Sequence, residues 1–290
     1  MRIAIFGNIY RPVILSHIQV LYEYFRQKQV TIILDKILYE FVFEHGQIDL
    51  EGTEIIHDDN FTADLAMSIG GDGTFLNTAA RIGRKQIPIL GINTGRLGFL
   101  ADVSSEDIIP ALDSILANHY SVEERTLLFV ETSDGNTFEY PYALNEVSVL
   151  KQDSSSMMSI NASVNGEMVH TYQADGLIVS TPTGSTAYSM SVGGPLVVPQ
   201  AQNIILSPVA SHSLNVRPLI VPDTWIIDLE VHSRSQNYLV ALDGRSMVLE
   251  HKTKLRIRKA DYTVMIIKQL NHTFFDTLKN KLMWGVDKRN

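Results

Sequence analysis

The 290-residue chain is long for one hydrophobic core, so two domains are expected, and its 45% hydrophobic and 19% charged composition is that of a soluble globular protein. It has no cysteine, which excludes disulfides, thiolate metal sites and cysteine nucleophiles and fits a reducing cytoplasm. The formal net charge of −8 argues against broad nucleic-acid binding, and no apolar run approaches the ~20 residues of a membrane span.

The start, Met1-Arg2-Ile3-Ala4-Ile5-Phe6-Gly7, reads as a first strand and not a signal peptide. Pro12 opens a segment with Ile14, Ile18, Leu21 and Phe25 on one helical face. Val30 to Leu34 reads as a strand and Ile37 to Phe43 as a short helix. Leu65 to Ile69 is a strand that feeds Gly70-Gly71-Asp72-Gly73-Thr74, and Phe75 to Arg81 reads as the start of a helix. Ile87 to Ile92 is a further strand, running into Asn93-Thr94-Gly95-Arg96-Leu97-Gly98. Ser104 and Asp107 have capping-box spacing before Ile108, Leu112 and Ile115. Strands alternating with helices predict a parallel sheet with its ligand site at the carboxyl ends of the strands.

The texture changes from about Ser121. Asp134-Gly135-Asn136 is flanked by Leu127 to Glu131 and Thr137 to Tyr140, and Asn165-Gly166 by Ile160 to Val164 and Met168 to Tyr172. Both centres are hairpin-turn chemistry. Trp225 to Val231 and Tyr238 to Leu242 lead to Asp243-Gly244, and Lys252 to Lys259 alternates basic and apolar residues as a strand with a solvated face. These strands predict an antiparallel β-sandwich, with Gly184 to Ser191 a helical turn within it. Tyr262 to Lys268 is a last strand, and Phe274, Phe275, Leu278, Leu282 and Trp284 follow at helical spacing. The fold expected is thus α/β plus all-β: a Rossmann-like parallel domain (1–100 with 269–290) and a β-rich, nucleotide-binding domain (101–268). The C-terminal segment returns to the first domain, with a cleft between the two.

Three constellations carry chemistry. In the glycine turn, Gly70, Gly71, Gly73 and Thr74 form a phosphate-binding set, because glycines let a phosphate approach the backbone amides at a helix start. A carboxylate there would repel a phosphate unless it binds a cation or receives a proton from an attacking hydroxyl, so Asp72 points to phosphoryl transfer. A simpler role for Asp72 is a helix cap. The second constellation is Asp175-Gly176 before an apolar strand, ending in Thr181-Pro182-Thr183-Gly184-Ser185-Thr186-Ala187-Tyr188. That run offers small hydroxyl donors and acceptors to a nucleotide, or is a Ser/Thr-rich turn into a helix cap. The third is Asn145-Glu146 in an apolar strand, where ribose hydroxyls are natural partners for groups costly to bury alone; an exposed strand end is the plainer reading.

In their order and spacing, these segments resemble the NAD kinase family, together with Gly91 to Leu100 and Leu278 to Gly285, over essentially the whole chain. The Gly-Gly-Asp-Gly turn is shared with lipid and 6-phosphofructo-kinases, while Thr181 to Tyr188 is the discriminating run. The resemblance implies transfer of the γ-phosphoryl group of ATP to the 2′-hydroxyl of the adenosine ribose of NAD. Asp72 matches the catalytic aspartate, beside Gly73. Asn77, Asn145, Glu146, Asp175, Thr183, Thr186, Ala187, Tyr188, Ser189, Met190, Ser191 and Ala210 match positions at the NAD site, Ala210 often across a subunit interface. It further implies a homo-oligomer, dimer or tetramer, and a divalent metal, Mg²⁺ as the usual ion, brought with ATP. No tightly bound prosthetic group, resident metal site, nucleic acid or membrane partner is implied. Arg245 departs from the Gln or His of many bacterial relatives; it could meet a ligand phosphate, Glu146 or Asp72, or equally point to solvent. A hydride-transfer enzyme would need Gly-x-Gly-x-x-Gly behind the first strand, which Phe6-Gly7-Asn8-Ile9-Tyr10 lacks. A lipid or sugar kinase of the same superfamily would share the glycine turn, and a non-catalytic nucleotide sensor could retain Asp72.

Overall fold

The computed structural model describes residues 1–95, 98–101, 103–136, 138–152, 157–270 and 272–285. The chain divides into two compact units, Met1–Glu124 with Val264–Asn290, and Arg125–Thr263. The divisions fall at 124/125 and 263/264; the domains expected from the sequence divide at 100/101 and 268/269.

The first unit opens with β1 (Arg2–Gly7), α1 (Ile14–Lys28), β2 (Thr31–Asp35), α2 (Lys36–His45), β3 (Glu54–Ile56) and β4 (Leu65–Gly70). It continues through α3 (Asp72–Ile82), β5 (Ile89–Asn93), β6 (Val103–Ser104) and α4 (Ile108–Leu116). The main strands pair in parallel in the order β3-β2-β1-β4-β5. They are fully buried where helices cover both faces; β4 exposes none of its six residues. Sequence order reverses between β1 and β4, and Gly7 lies beside Ile69 in the register. A doubly wound sheet binds its ligands at such a switch point, and the glycine turn emerges there. Ser104 and Asp107 do not form the expected capping box. Ser104 Oγ donates to Asp107 Oδ2 at 2.6 Å, and the intervening 3₁₀ turn over Ser105–Asp107 moves the start of α4 to Ile108 without a side-chain cap.

The second unit holds β7 (Ser121–Thr132, which begins in the first), β8 (Tyr142–Ala143), β9 (Glu146–Lys151), β10 (Met158–Val164), β11 (Glu167–Ala174) and β12 (Gly176–Ser180). After a 3₁₀ turn (Thr183–Thr186) and α5 (Tyr188–Ser191) come β13 (Asn203–Val209), β14 (Leu219–Pro222), β15 (Ile227–His232), β16 (Asn237–Leu242), β17 (Arg245–Glu250) and β18 (Leu255–Lys268). One antiparallel sheet runs β14-β13-β12-β9-β16-β17, and the other contains β11-β10-β15-β18 with β7 and β8. Val147, Val149, Leu177, Val179 and Val240 of the first share one core with Ile160, Ala162, Leu229, Leu255 and Ile257 of the second. This is the expected sandwich.

Asn165 and Gly166 have φ of 50° and 82°, and Asp243 and Gly244 48° and 85°, the double left-handed geometry of a type I′ hairpin. The Asp134 turn differs from expectation. The strand returning to β7 is β8, pairing Phe129 with Tyr142, and Phe138 to Tyr140 are irregular; Thr137 lies outside the described residues. The strands expected within Lys252–Lys259 and at Tyr262–Lys268 are one strand, β18, whose end returns the chain to the first unit beside β5 (Ile266 with Ile89). There α6 (Phe274–Leu282) completes that unit behind a capping box. Thr273 Oγ1 accepts from Asp276 N at 3.2 Å, and Asp276 Oδ2 accepts from Thr273 N at 3.0 Å.

Candidate functional site

Asp72 is the first residue of α3, where the chain leaves the fully buried β4. Its carboxylate is fixed by the segment after β5. Phe99 N donates to Oδ2 at 3.0 Å, and Leu100 N and Ala101 N donate to Oδ1 at 3.0 and 3.1 Å. A Cβ on Gly98 would collide with the same carboxylate. Lys281 of α6 adds an ammonium 3.6 Å from Oδ2. Asp72 is therefore not a cap for its own helix; no side-chain cap bond forms at the start of α3.

The glycines around it divide by cause. A Cβ on Gly70 would run into Thr74 Oγ1, so packing demands glycine there. At Gly71 and Gly73 a Cβ would meet nothing within 4 Å among the described residues. No described neighbour crowds those two positions, which leaves their backbone open to close approach by a ligand. Asn77, one turn along α3, is exposed and its carboxamide makes no hydrogen bond among the described residues. Asn93 Oδ1 accepts from Gly95 N at 2.6 Å, and the Arg11 guanidinium lies against Gly95. Arg96 and Leu97 of that loop lie outside the described residues.

A second cluster belongs to the second unit. Asn145, 8% exposed, ends the segment before β9, and its carboxamide has no hydrogen-bond partner among the described residues. Its carbonyl accepts from Thr181 N at 2.9 Å and Ser180 Oγ at 3.2 Å, and Gly184 packs so closely on that oxygen that a Cβ would overlap it. Among the described residues the Glu146 carboxylate receives only Tyr188 N, at 3.4 Å. Burial, then the nearby charge of Asp243, pushes Glu146 up from 4.5 to about 7; the Tyr188 amide pulls weakly the other way.

The hydroxyl run behaves differently from the expectation of a row of groups presented to a nucleotide. Ser180, Thr181, Ser185 and Ser189 are fully buried and bond inward. Thr181 Oγ1 donates to Leu144 O at 2.5 Å and accepts from Gly184 N, Ser185 Oγ bonds Val197 and Ser189 Oγ bonds Ser207 Oγ at 3.1 Å. The reason is satisfaction of backbone groups in a buried turn on the outer face of β12. Thr186 donates to Thr183 O, and Ser191 to Tyr188 O. Thr183 and the half-exposed Tyr188 keep hydroxyls without partners among the described residues, and Ala187 and Met190 are partly exposed beside them.

Two expected site residues lie elsewhere. Strand β9 pairs Glu146 with Ser180 and Leu150 with Gly176, so Asp175 sits at the opposite end of β12 from Glu146 and Thr183. Its carboxylate holds Lys151 Nζ at 2.7 Å, and its amide bonds Val209 O next to Ala210, which is exposed with φ of 46°. Arg245 does not point to solvent, and among the described residues it forms no ion pair with Glu146. Its Nη2 donates to Tyr142 O at 2.5 Å and the guanidinium lies over the Tyr140 ring at 5.1 Å.

Sequence patterns give no sign of the roles of Asp243 and Lys281. Asp243 accepts from Leu144 N, Asn145 N and Glu146 N at 2.6, 2.8 and 3.1 Å and so sets the backbone that presents the Asn-Glu pair. Burial drives its carboxyl upward, while those amides and Arg245 oppose the shift. Asp-Gly reads locally as a turn, and only a long-range contact shows the second role. The glycines provide a test: Gly184→Ala should lower stability by ~1–3 kcal/mol through overpacking. Gly73→Ala should leave the melting temperature intact and raise the KM of a nucleotide substrate. Equal melting behaviour of the two variants would contradict this division.

The sequence profile of the ATP-NAD kinase N-terminal domain matches residues 3–120, and that of the C-terminal domain residues 144–269. An NAD kinase of Bacteroides fragilis is 50% identical over 289 residues, covering 100% of both chains, and one of Cytophaga hutchinsonii is 38% identical with the same coverage. Among solved structures, yeast NADH kinase complexed with NADH superposes with a TM-score of 0.89 at 21% identity, covering 99% of this chain and 88% of that one, a likeness of fold. An NAD kinase from Archaeoglobus fulgidus in complex with ATP gives 0.73 at 26% identity, covering 98% and 97%. With both profiles in place and half the residues shared end to end with a relative, the chain belongs to the NAD kinase family.

Proposed function

We propose that the protein transfers the γ-phosphoryl group of ATP to the 2′-hydroxyl of the adenosine ribose of NAD, giving NADP. The observation that carries this reading is Asp72, fixed by three amides at a glycine turn whose Gly71 and Gly73 are not demanded by packing. Phosphoryl transfer asks the protein for an oriented nucleophile and charge compensation, not for covalent chemistry. Asp72 orients the hydroxyl and takes its proton, while the amides of the turn meet phosphate oxygens. Asn145 and Glu146 hold ribose hydroxyls, and Thr183, Ala187 and Tyr188 line the adenine side. Thr186, Ser189, Met190 and Ser191 complete that pocket mainly by fixing its backbone.

The family implies a divalent ion with ATP, and Mg²⁺ is the ion we propose. Among the described residues no three carboxylate or imidazole groups converge to hold one. The ion would come with the triphosphate, and the chemistry it would supply is neutralisation of phosphate charge. Ala210, exposed beyond the end of β13, matches a family position often found across a subunit interface, which supports a homo-oligomer, dimer or tetramer. No described helix is long and apolar enough to cross a membrane, and the absence of cysteine agrees with a cytoplasmic enzyme.

Purified protein incubated with NAD, ATP and Mg²⁺ should produce NADP, detected by an NADP-specific dehydrogenase, and should elute as a dimer or larger by light scattering. Failure to form NADP with Mg²⁺ or Mn²⁺ and with ATP or polyphosphate would overturn the reading and favour a nucleotide sensor.

A further inference from the structure

The Asp72 carboxylate has company that the glycine turn does not explain. Both acceptor positions of Oδ1 are taken by Leu100 N and Ala101 N, and Oδ2 accepts Phe99 N. The remaining side of Oδ2 faces Lys281 Nζ at 3.6 Å, beyond a good hydrogen bond, and the same ammonium lies 4.4 Å from the Phe99 ring centroid. That side is where a substrate hydroxyl must arrive if Asp72 is to receive its proton.

The placement of Lys281 is built. Phe274, Leu278 and Lys281 recur at i, i+4 and i+7 and so share one face of α6. Leu278 is buried, Phe274 packs on Phe99 at 6.2 Å, and the capping box at Thr273–Asp276 fixes the first turn. The Lys281 side chain is nonetheless 32% exposed, so its head is not locked into the core. A loosely held cation on a well-held helix, beside an anchored carboxylate, suits a group that changes partner.

We propose that Lys281 is a further catalytic residue. It leaves Asp72 Oδ2 as the acceptor hydroxyl docks and binds an oxygen of the phosphoryl group in transfer. The inference rests on the kinase reading above. In the step, the 2′-oxygen forms its bond to the γ-phosphorus as the bond to the bridging oxygen breaks. ADP leaves with that electron pair, and the hydroxyl proton passes to Asp72 Oδ2. Lys281 neither gives nor takes a proton; its charge compensates the transferring group.

Steady-state kinetics on Lys281→Met, Lys281→Arg and the exposed control Lys279→Met test this assignment. The expected result is a ~10²-fold fall in kcat for K281M, with KM for NAD little changed. K281R should regain most of the rate, and K279M should match the parent. K281M with parental turnover overturns the role of Lys281 alone. So does a K281M whose loss appears equally in KM and melting temperature and which K281R does not repair, because that pattern marks a purely structural contact. A parent protein that makes no NADP overturns both this assignment and the reading beneath it.

Discussion

Asp72→Asn is expected to lower turnover ~10²–10⁴-fold, the usual contribution of a general base, or roughly 3–5 kcal/mol in the barrier. The structure adds a second expected effect. A carboxylate satisfies the Phe99, Leu100 and Ala101 amides because both of its oxygens accept. The asparagine oxygen can serve Leu100 and Ala101, but its NH₂ then faces the Phe99 N–H and the Lys281 ammonium, all of them donors. One partly buried amide loses its partner, so stability should fall by ~1 kcal/mol as well. Turnover measured at a temperature where the variant is fully folded separates the two effects. Near-parental turnover there would remove Asp72 from the role of base, whatever the melting curve shows.

Glu146→Gln should change how both binding and stability depend on pH. Burial first and Asp243 second hold the Glu146 carboxyl at about 7 in the folded protein, against 4.5 for the unperturbed group. A raised acid binds more protons folded than unfolded. Its stabilising contribution is therefore complete below about 4.5 and is lost as pH rises through 7. The rise from 4.5 to about 7 corresponds to about 3 kcal/mol. Denaturant titrations from pH 4.5 to 8 should show the parent losing stability relative to Glu146→Gln across this window. Over the same window KM for NAD should fall in the parent, since the carboxylate accepts from ribose hydroxyls better than the acid does, and stay flat in the variant. Parallel pH profiles for the two proteins would contradict the buried position of this carboxylate.

Much of this was legible in the chain because its signals are local. The 3.6-residue period of Ile14, Ile18, Leu21 and Phe25 belongs to α1. The Asn165-Gly166 and Asp243-Gly244 pairs sit at type I′ turns because those residues tolerate positive φ. The glycine turn behind an apolar run lies where a parallel strand meets a helix. Strands β3, β13 and β14 escaped, since short runs broken by proline or polar residues carry no clear period, and only pairing partners make them strands.

Residue types and spacing carried the resemblance to the family and marked Asp72 as the candidate for its chemistry, because backbone conformation and short motifs depend on near neighbours. Tertiary structure decided what each side chain faces. It turned most hydroxyls of Thr181 to Ser189 inward, set Arg245 on Tyr140 and Tyr142, and placed Asp175 and Ala210 at the far end of β12 from Glu146. It also brought Lys281 to Asp72 across more than two hundred residues of sequence. Hydrogen bonding and charge act through space, and no local pattern encodes the partner that folding delivers.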